Sequence, residues 1–137
     1  MYFTTHALVG AAAGLTVKNW LLAVIVGLLS HIGLDMVPHH DYHQVRYGVV
    51  DVLIGSTLLF ILAGRNPGLP VFLAGVAGGI PDLELVIGEV YGFLKQKSWH
   101  NIFPSHTGLV RHRTITGPWG FVTQAAFALA GLLFLIR

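Results

Sequence analysis

The chain has 137 residues, of which 54% are hydrophobic and only 10% charged, against about 25% charged in ordinary soluble domains. Its mean hydropathy of +0.70 leaves too little polar surface to cover a water-soluble monomer, and its length suits one domain. The net charge of +2 comes from 8 Lys and Arg against 6 Asp and Glu, with no long basic run, which argues against a nucleic-acid partner. The absence of cysteine excludes disulfides, thiolate zinc sites and cysteine nucleophiles within the chain.

Five apolar segments follow one another. The first covers residues 5–17 and the second 19–36, ending before Pro38. The third covers 47–63. The fourth begins near Pro70 and is expected to break at Gly78-Gly79-Ile80-Pro81, then resume over 83–94. The last covers 119–136. A membrane span needs about 20 apolar residues, roughly 17–25, a length the second, third and fifth reach. Short or Gly/Pro-interrupted segments are tolerated at membrane depth where they line a cavity. The opening, Met1 to His6, has no basic region and places His6 where an apolar run should start, so it reads as body and not as a cleaved signal. The expected organisation is a single membrane-embedded, all-α bundle of four to five helices. Its parts are a first hairpin (1–46), a second hairpin (47–97), a polar interfacial loop (98–117) and a C-terminal helix (118–137).

Alternation of direction brings every acid and every histidine to one end of this bundle: His6, the stretch from His31 to His43, Asp51, Asp82, Glu84, Glu89 and the loop from His100 to His112. That end also holds Arg46, Lys95, Lys97, Arg111 and Arg113, against Lys18, Arg65 and Arg137 at the other. The positive-inside rule then faces the polar end to the cytoplasm across the cell's inner membrane. The two hairpins echo each other: His6-Ala-Leu-Val-Gly10 parallels Asp51-Val-Leu-Ile-Gly55, which suggests two parallel helical-hairpin repeats. The GxxxG patterns at Gly10/Gly14, Gly75/Gly79 and Gly88/Gly92 read as ordinary close packing.

Ionisable groups at membrane depth are costly, so a one-sided cluster of carboxylates and imidazoles marks a functional site. In Ser30-His31-Ile-Gly-Leu-Asp35, the histidine and aspartate are four apart and share a helix face. Pro38 ends that helix, allowing His39 and Asp41 to turn back toward Asp35, while His40 and His43 read as loop residues. Gly79-Ile80-Pro81-Asp82-Leu83-Glu84 offers a second carboxylate, with Pro81 in the first turn of the resumed helix. His6 and Asp51 gain weight from lying at the same end. The stretch from Trp99 to Arg113 reads as an interfacial segment, His100 and His112 being expected to stay outside the site. The alternative is that His106 completes the site, or that Arg111 and Arg113 hold a phosphate.

These pieces, Thr5-His6, Ser30-His31-Ile-Gly-Leu-Asp35 and Gly79-Ile80-Pro81-Asp82-Leu83-Glu84, resemble the small inner-membrane metal-dependent hydrolases, some of which are described as LexA-binding. The resemblance covers most of the first 90 residues in short motifs and implies a multi-helix membrane protein with His6, His31, Asp35 and Asp82 as metal ligands. The chain departs from that family in having Glu84-Leu85 where an acid–histidine pair is usual after Pro-Asp. It also keeps only His112-Arg113-Thr114 of a longer His-Arg-Gly segment.

The reading from sequence is therefore a membrane-embedded metal-dependent hydrolase acting on a phosphoester or lipid headgroup through metal-activated water. One or two divalent ions, zinc first among them, would be held by His6, His31, Asp35, His39 and Asp82. Asp41 and Asp51 would be the general base or orienting carboxylates. Membrane lipid is the expected partner, and self-association is left open. The alternatives are a metal-ion transporter using the same ligands, and a structural membrane protein in which acids and histidines only pair.

Overall fold

The computed structural model describes residues 1–42, 44–65, 68–95 and 98–137. His43, Asn66, Pro67, Gln96 and Lys97, of which His43 and Lys97 entered the sequence reading, lie outside the described residues. Five helices follow in order: α1 (Phe3–Gly14), α2 (Trp20–Asp35), α3 (Val45–Arg65), α4 (Leu69–Lys95) and α5 (Pro118–Leu135). The described residues contain no strand, only an isolated bridge between His39 and Thr114. The expected all-α bundle is the observed one.

Local chemistry sets the ends. Asn19 caps α2, its side-chain oxygen accepting from the amides of Leu21 and Leu22 at 2.8 and 3.1 Å. Gly117, with φ of 103°, turns the chain into Pro118 at the start of α5, a backbone conformation that other residues rarely adopt. Helices α3, α4 and α5 are long and apolar enough to cross a membrane. At about 1.5 Å per residue, the 12 residues of α1 and 16 of α2 fall short of the roughly 30 Å hydrocarbon thickness. Large apolar side chains cover the outside, among them Phe60 (74% exposed), Phe93 (83%) and Trp119 (73%). That surface is compatible with a membrane helical bundle and would be costly in water.

The short α1 is the hub. It packs against all four other helices, most extensively α4, which in turn packs on α2 and α3. Glycine makes this approach possible: a Cβ on Gly78 would stand 2.6 Å from the His6 carbonyl oxygen, and one on Gly14 2.9 Å from that of Pro70. Phe3, Ala7, Leu8, Ala11, Leu59, Leu62, Val71 and Leu135 form the apolar core around this crossing. The helices run alternately, so that the start of α1, the end of α2, the start of α3, the second half of α4 and the start of α5 share one end.

Two expectations need correction. The fourth helix does not break: α4 runs unbroken from Leu69 to Lys95 with Pro81 inside it. Pro81 frees the Ala77 carbonyl, a loss the packing of neighbouring helices tolerates, and on the same turn His31 Nδ1–H donates to the Gly78 carbonyl at 2.8 Å. A two-fold relation between the hairpins would pair α2 with α3 as closely as α1 with α4. That pairing is not among the substantial contacts of the described residues, so the short sequence echo does not extend to the packing.

Candidate metal centre

Four side chains from three helices meet with no exposure at all: His6 on α1, His31 and Asp35 on α2, and Asp82 on α4. Asp35 is the centre. Its Oδ1 lies 3.1 Å from His6 Nε2 and 3.2 Å from the Met1 nitrogen. Its Oδ2 lies 3.0 Å from His31 Nε2, 3.7 Å from His106 Nε2 and 4.0 Å from His112 Nδ1. Asp82 stands opposite, 3.8 Å from His6 Nε2 and 4.0 Å from His106 Nε2. The His6 and His31 rings stack at 3.9 Å, and Phe103 closes edge-on against His31 at 5.0 Å.

The outer hydrogen bonds settle which nitrogens face inward. A carbonyl or carboxylate can only accept, so His31 Nδ1–H donates to Gly78, His39 Nδ1–H to the Val37 carbonyl at 2.7 Å, and His106 Nδ1–H to Glu84 at 3.3 Å. Each neutral ring then carries a lone pair on Nε2, the arrangement in which a second interaction fixes the tautomer of a metal-binding histidine. His31 Nε2, His106 Nε2, Asp35 Oδ2 and both Asp82 oxygens are buried without a hydrogen-bond partner. Acceptors thus face acceptors with no protein donor between them, and each unmet buried group costs about 1–3 kcal/mol. A cation could meet several of them together.

Three overlapping sets of ligand atoms lie within 4.8 Å of one another and could hold a metal: His6, His31 and Asp82; His31, Asp35 and His106; and Asp35, His39 and His112. Imidazole and carboxylate donors together are a set that divalent metal ions bind. Asp41 lies at the edge, its side chain 32% exposed, 3.1 Å from His39 and 3.2 Å from His112. Burial pushes its carboxyl up, but the hydrogen bond from His112 and the close approach of His39 more than reverse this and hold it well below the usual carboxylate range. Burial lowers His106 below the ordinary histidine value despite nearby Asp35. Burial also works against His112, yet the bond to Asp41 and the charge of Asp35 leave it raised.

Of the residues expected from sequence, His6, His31, Asp35, His39 and Asp82 converge, with Asp41 beside them. Asp51 does not join this group. It accepts from the Thr4 amide at 3.1 Å and from the Tyr42 hydroxyl, tying α3 to the start of α1. His100 stays exposed, as expected.

His112, expected outside, is inside, and His106 takes the position of the alternative reading. The reason is backbone pairing: Arg113 N–H donates to the Asp35 carbonyl at 3.0 Å, His39 N–H to Arg113 at 3.0 Å, and Ile115 N–H to His39 at 2.8 Å. This stitches the segment before α5 along the end of α2. Glu84 holds the other half, accepting from the amides of Ile102 and Phe103 as well as from His106. Arg111 and Arg113 themselves point outward and are exposed. The hydroxyls of Thr16, Thr57 and Thr123 return to carbonyls of their own helices, so they build no polar path down the bundle.

Comparison with known protein families, curated proteins and solved structures finds no match to this chain. The fold and site therefore define the class on their own: an all-α bundle with three helices able to span a membrane, and a buried His/Asp cluster that could bind metal.

Proposed function

We propose that this is an inner-membrane metal-dependent hydrolase acting on a phosphoester, in line with the family its motifs resemble. The observation that carries the reading is the set of buried acceptors without donors: His31 Nε2, His106 Nε2, Asp35 Oδ2 and the Asp82 carboxylate. One ion would be held among His6, His31, Asp82 and His106, and a second by His39 and His112, with Asp35 reaching both. Ions so placed supply Lewis acidity toward a phosphoryl oxygen and acidify water. In the net reaction the oxygen of water bonds to phosphorus, the ester P–O bond breaks, and one proton of the water ends on the released alcohol.

The chain's own residues hold and orient. Asp41 stands 3.1 Å from His39 Nε2, and it accepts from His112 Nε2 and fixes that ring. Glu84 does the same for His106. Phe103, edge-on to His31, keeps bulk water from the buried side and so strengthens the local electrostatics. The polar end faces the cytoplasm by the five-to-three excess of Lys and Arg over the whole chain.

The test is elemental analysis of the purified protein, together with turnover of a soluble phosphodiester by wild type, Asp35→Asn and Asp82→Asn. Stoichiometric metal and turnover in the wild type, with both lost in the variants, are expected. A metal-free wild type, or turnover indifferent to both substitutions, overturns the reading.

A further inference from the structure

A cavity of about 370 Å³ opens beside the cluster, between the start of α3, the second half of α4 and the segment at Trp99 and Asn101. Its floor includes Asp41, which accepts from His112 and stands 3.1 Å from His39. The cavity is therefore continuous with the proposed centre. Its walls are of two kinds. Val45, Leu85 and Val86 make an apolar side, contributed by two helices long enough to span a membrane. Tyr42, Trp99 and Glu89 make the other. Trp99 is seated by Gly88, where a Cβ would stand 2.7 Å from the indole.

The charge of this lining is informative. Its charged groups among the described residues are Asp41, Glu89 and the Met1 ammonium, which lies 3.1 Å from Asp41 and 3.2 Å from Asp35. That ammonium is already engaged by two carboxylates, which leaves Glu89 as the carboxylate of the lining free to meet a substrate cation. A carboxylate beside an indole and a phenol suits an ammonium group, which gains from both the ion pair and the aromatic faces. The apolar side is built by α3 and α4, both apolar enough to face lipid, which suits it to an acyl chain.

We propose that this cavity is the substrate cleft, and that it takes an amphiphilic phosphoester bearing an ammonium group, with the ammonium at Trp99 and Glu89 and the apolar chain along Val45, Leu85 and Val86. This rests on the hydrolase reading and adds the substrate class.

Trp99 is a built-in reporter. The chain has 3 tryptophans, so replacing Trp20 and Trp119 by Phe leaves Trp99 as the single indole. Phosphatidylethanolamine and phosphatidylglycerol, each brominated in the acyl chain, are titrated into the detergent-solubilised protein and indole quenching is followed. The ethanolamine lipid is expected to half-quench at about three- to tenfold lower concentration, and Glu89→Gln, at an exposed position, to remove most of that preference. Equal quenching by the two lipids, or a preference untouched by Glu89→Gln, overturns the proposal. Soluble glycerophosphoethanolamine separates the sources: it should displace the lipid only weakly, and displacement as efficient as by intact lipid overturns the place given to the chain. Quenching is read without turnover, so a failure here is distinct from a failure to find metal or hydrolysis.

Discussion

If the cluster holds the proposed ion, removing it should cost this protein much of its stability. Besides His6 Nδ1, five buried atoms of the cluster lack a partner: His31 Nε2, His106 Nε2, Asp35 Oδ2 and the two Asp82 oxygens. At about 1–3 kcal/mol each, leaving them unmet would cost about 5–15 kcal/mol, the size of a whole domain's stability. Protons and water can relieve part of this in the metal-free state, so the binding side gives the firmer figure. A free ion at 1,000 times its dissociation constant stabilises by about 4.1 kcal/mol. At about 3–5 °C per kcal/mol for a chain of this size, chelation should lower Tm by about 12–20 °C, and adding zinc back should restore it. The assay is thermal unfolding in detergent, before and after dialysis against a chelator. Asp82→Asn removes one of the two facing carboxylates and should shrink the metal-dependent shift to less than about a third. A wild-type Tm that moves by no more than about 1 °C on chelation and reloading would refute the reasoning, because the cluster would then be satisfied without an ion.

Three further outcomes are expected. Glu84→Ala removes the acceptor of His106 and of two loop amides, and should weaken metal binding about 10–100-fold in chelator competition, with Glu84→Gln intermediate; unchanged affinity would deny Glu84 its positioning role. Gly78→Ala puts a methyl 2.6 Å from the His6 carbonyl and should cost about 1–3 kcal/mol, whereas Gly33→Ala, with open space around it, should gain about 0.5–1 kcal/mol; equal Tm values for the two variants would show that the α1–α4 crossing is not tight. His112→Ala should reduce the bound metal measured by elemental analysis while His100→Ala leaves it intact, and the reverse order would contradict the placement of the loop.

The helices and their shared polar end are legible in the sequence because hydropathy and alternation of direction act over whole segments. The inner ligands are legible for a similar reason: His31 and Asp35 are fixed by helical spacing, and His6 and Asp82 are costly residues in apolar runs. His106 and His112 carry no such signal. They lie in an irregular segment held by amides bonding to Asp35, His39 and Glu84, and backbone pairing of that kind has no side-chain pattern. The presence of Glu84 in a helix, 18 residues before its partner Ile102, gives no hint that the two meet. Asp51 is the converse case. Its residue type and its end of the bundle fit the site, but Tyr42 and Thr4 lie nearer and engage it.

The expected break at Pro81 is where local and tertiary logic diverge most usefully. Proline removes the amide that would bond the Ala77 carbonyl and crowds the turn before it, which alone would end the helix. In the bundle that turn is not exposed to lipid on its inner face: Gly78, Gly79, Pro81 and Asp82 are all buried, while Ile80 is 51% exposed on the outside. Gly78 has no side chain, so α1 can bring the His6 carbonyl against it, and His31 can reach its oxygen. The bond to that oxygen places the His31 proton on Nδ1 and turns the Nε2 lone pair toward Asp35. Asp82, one residue past the proline, enters the same space from the opposite side. One turn of α4 thus supplies the close helix crossing, the tautomer of one ligand and the carboxylate of another. A true helix break there would loosen all three together, which is why the uninterrupted path of α4 matters to the site and not only to the fold.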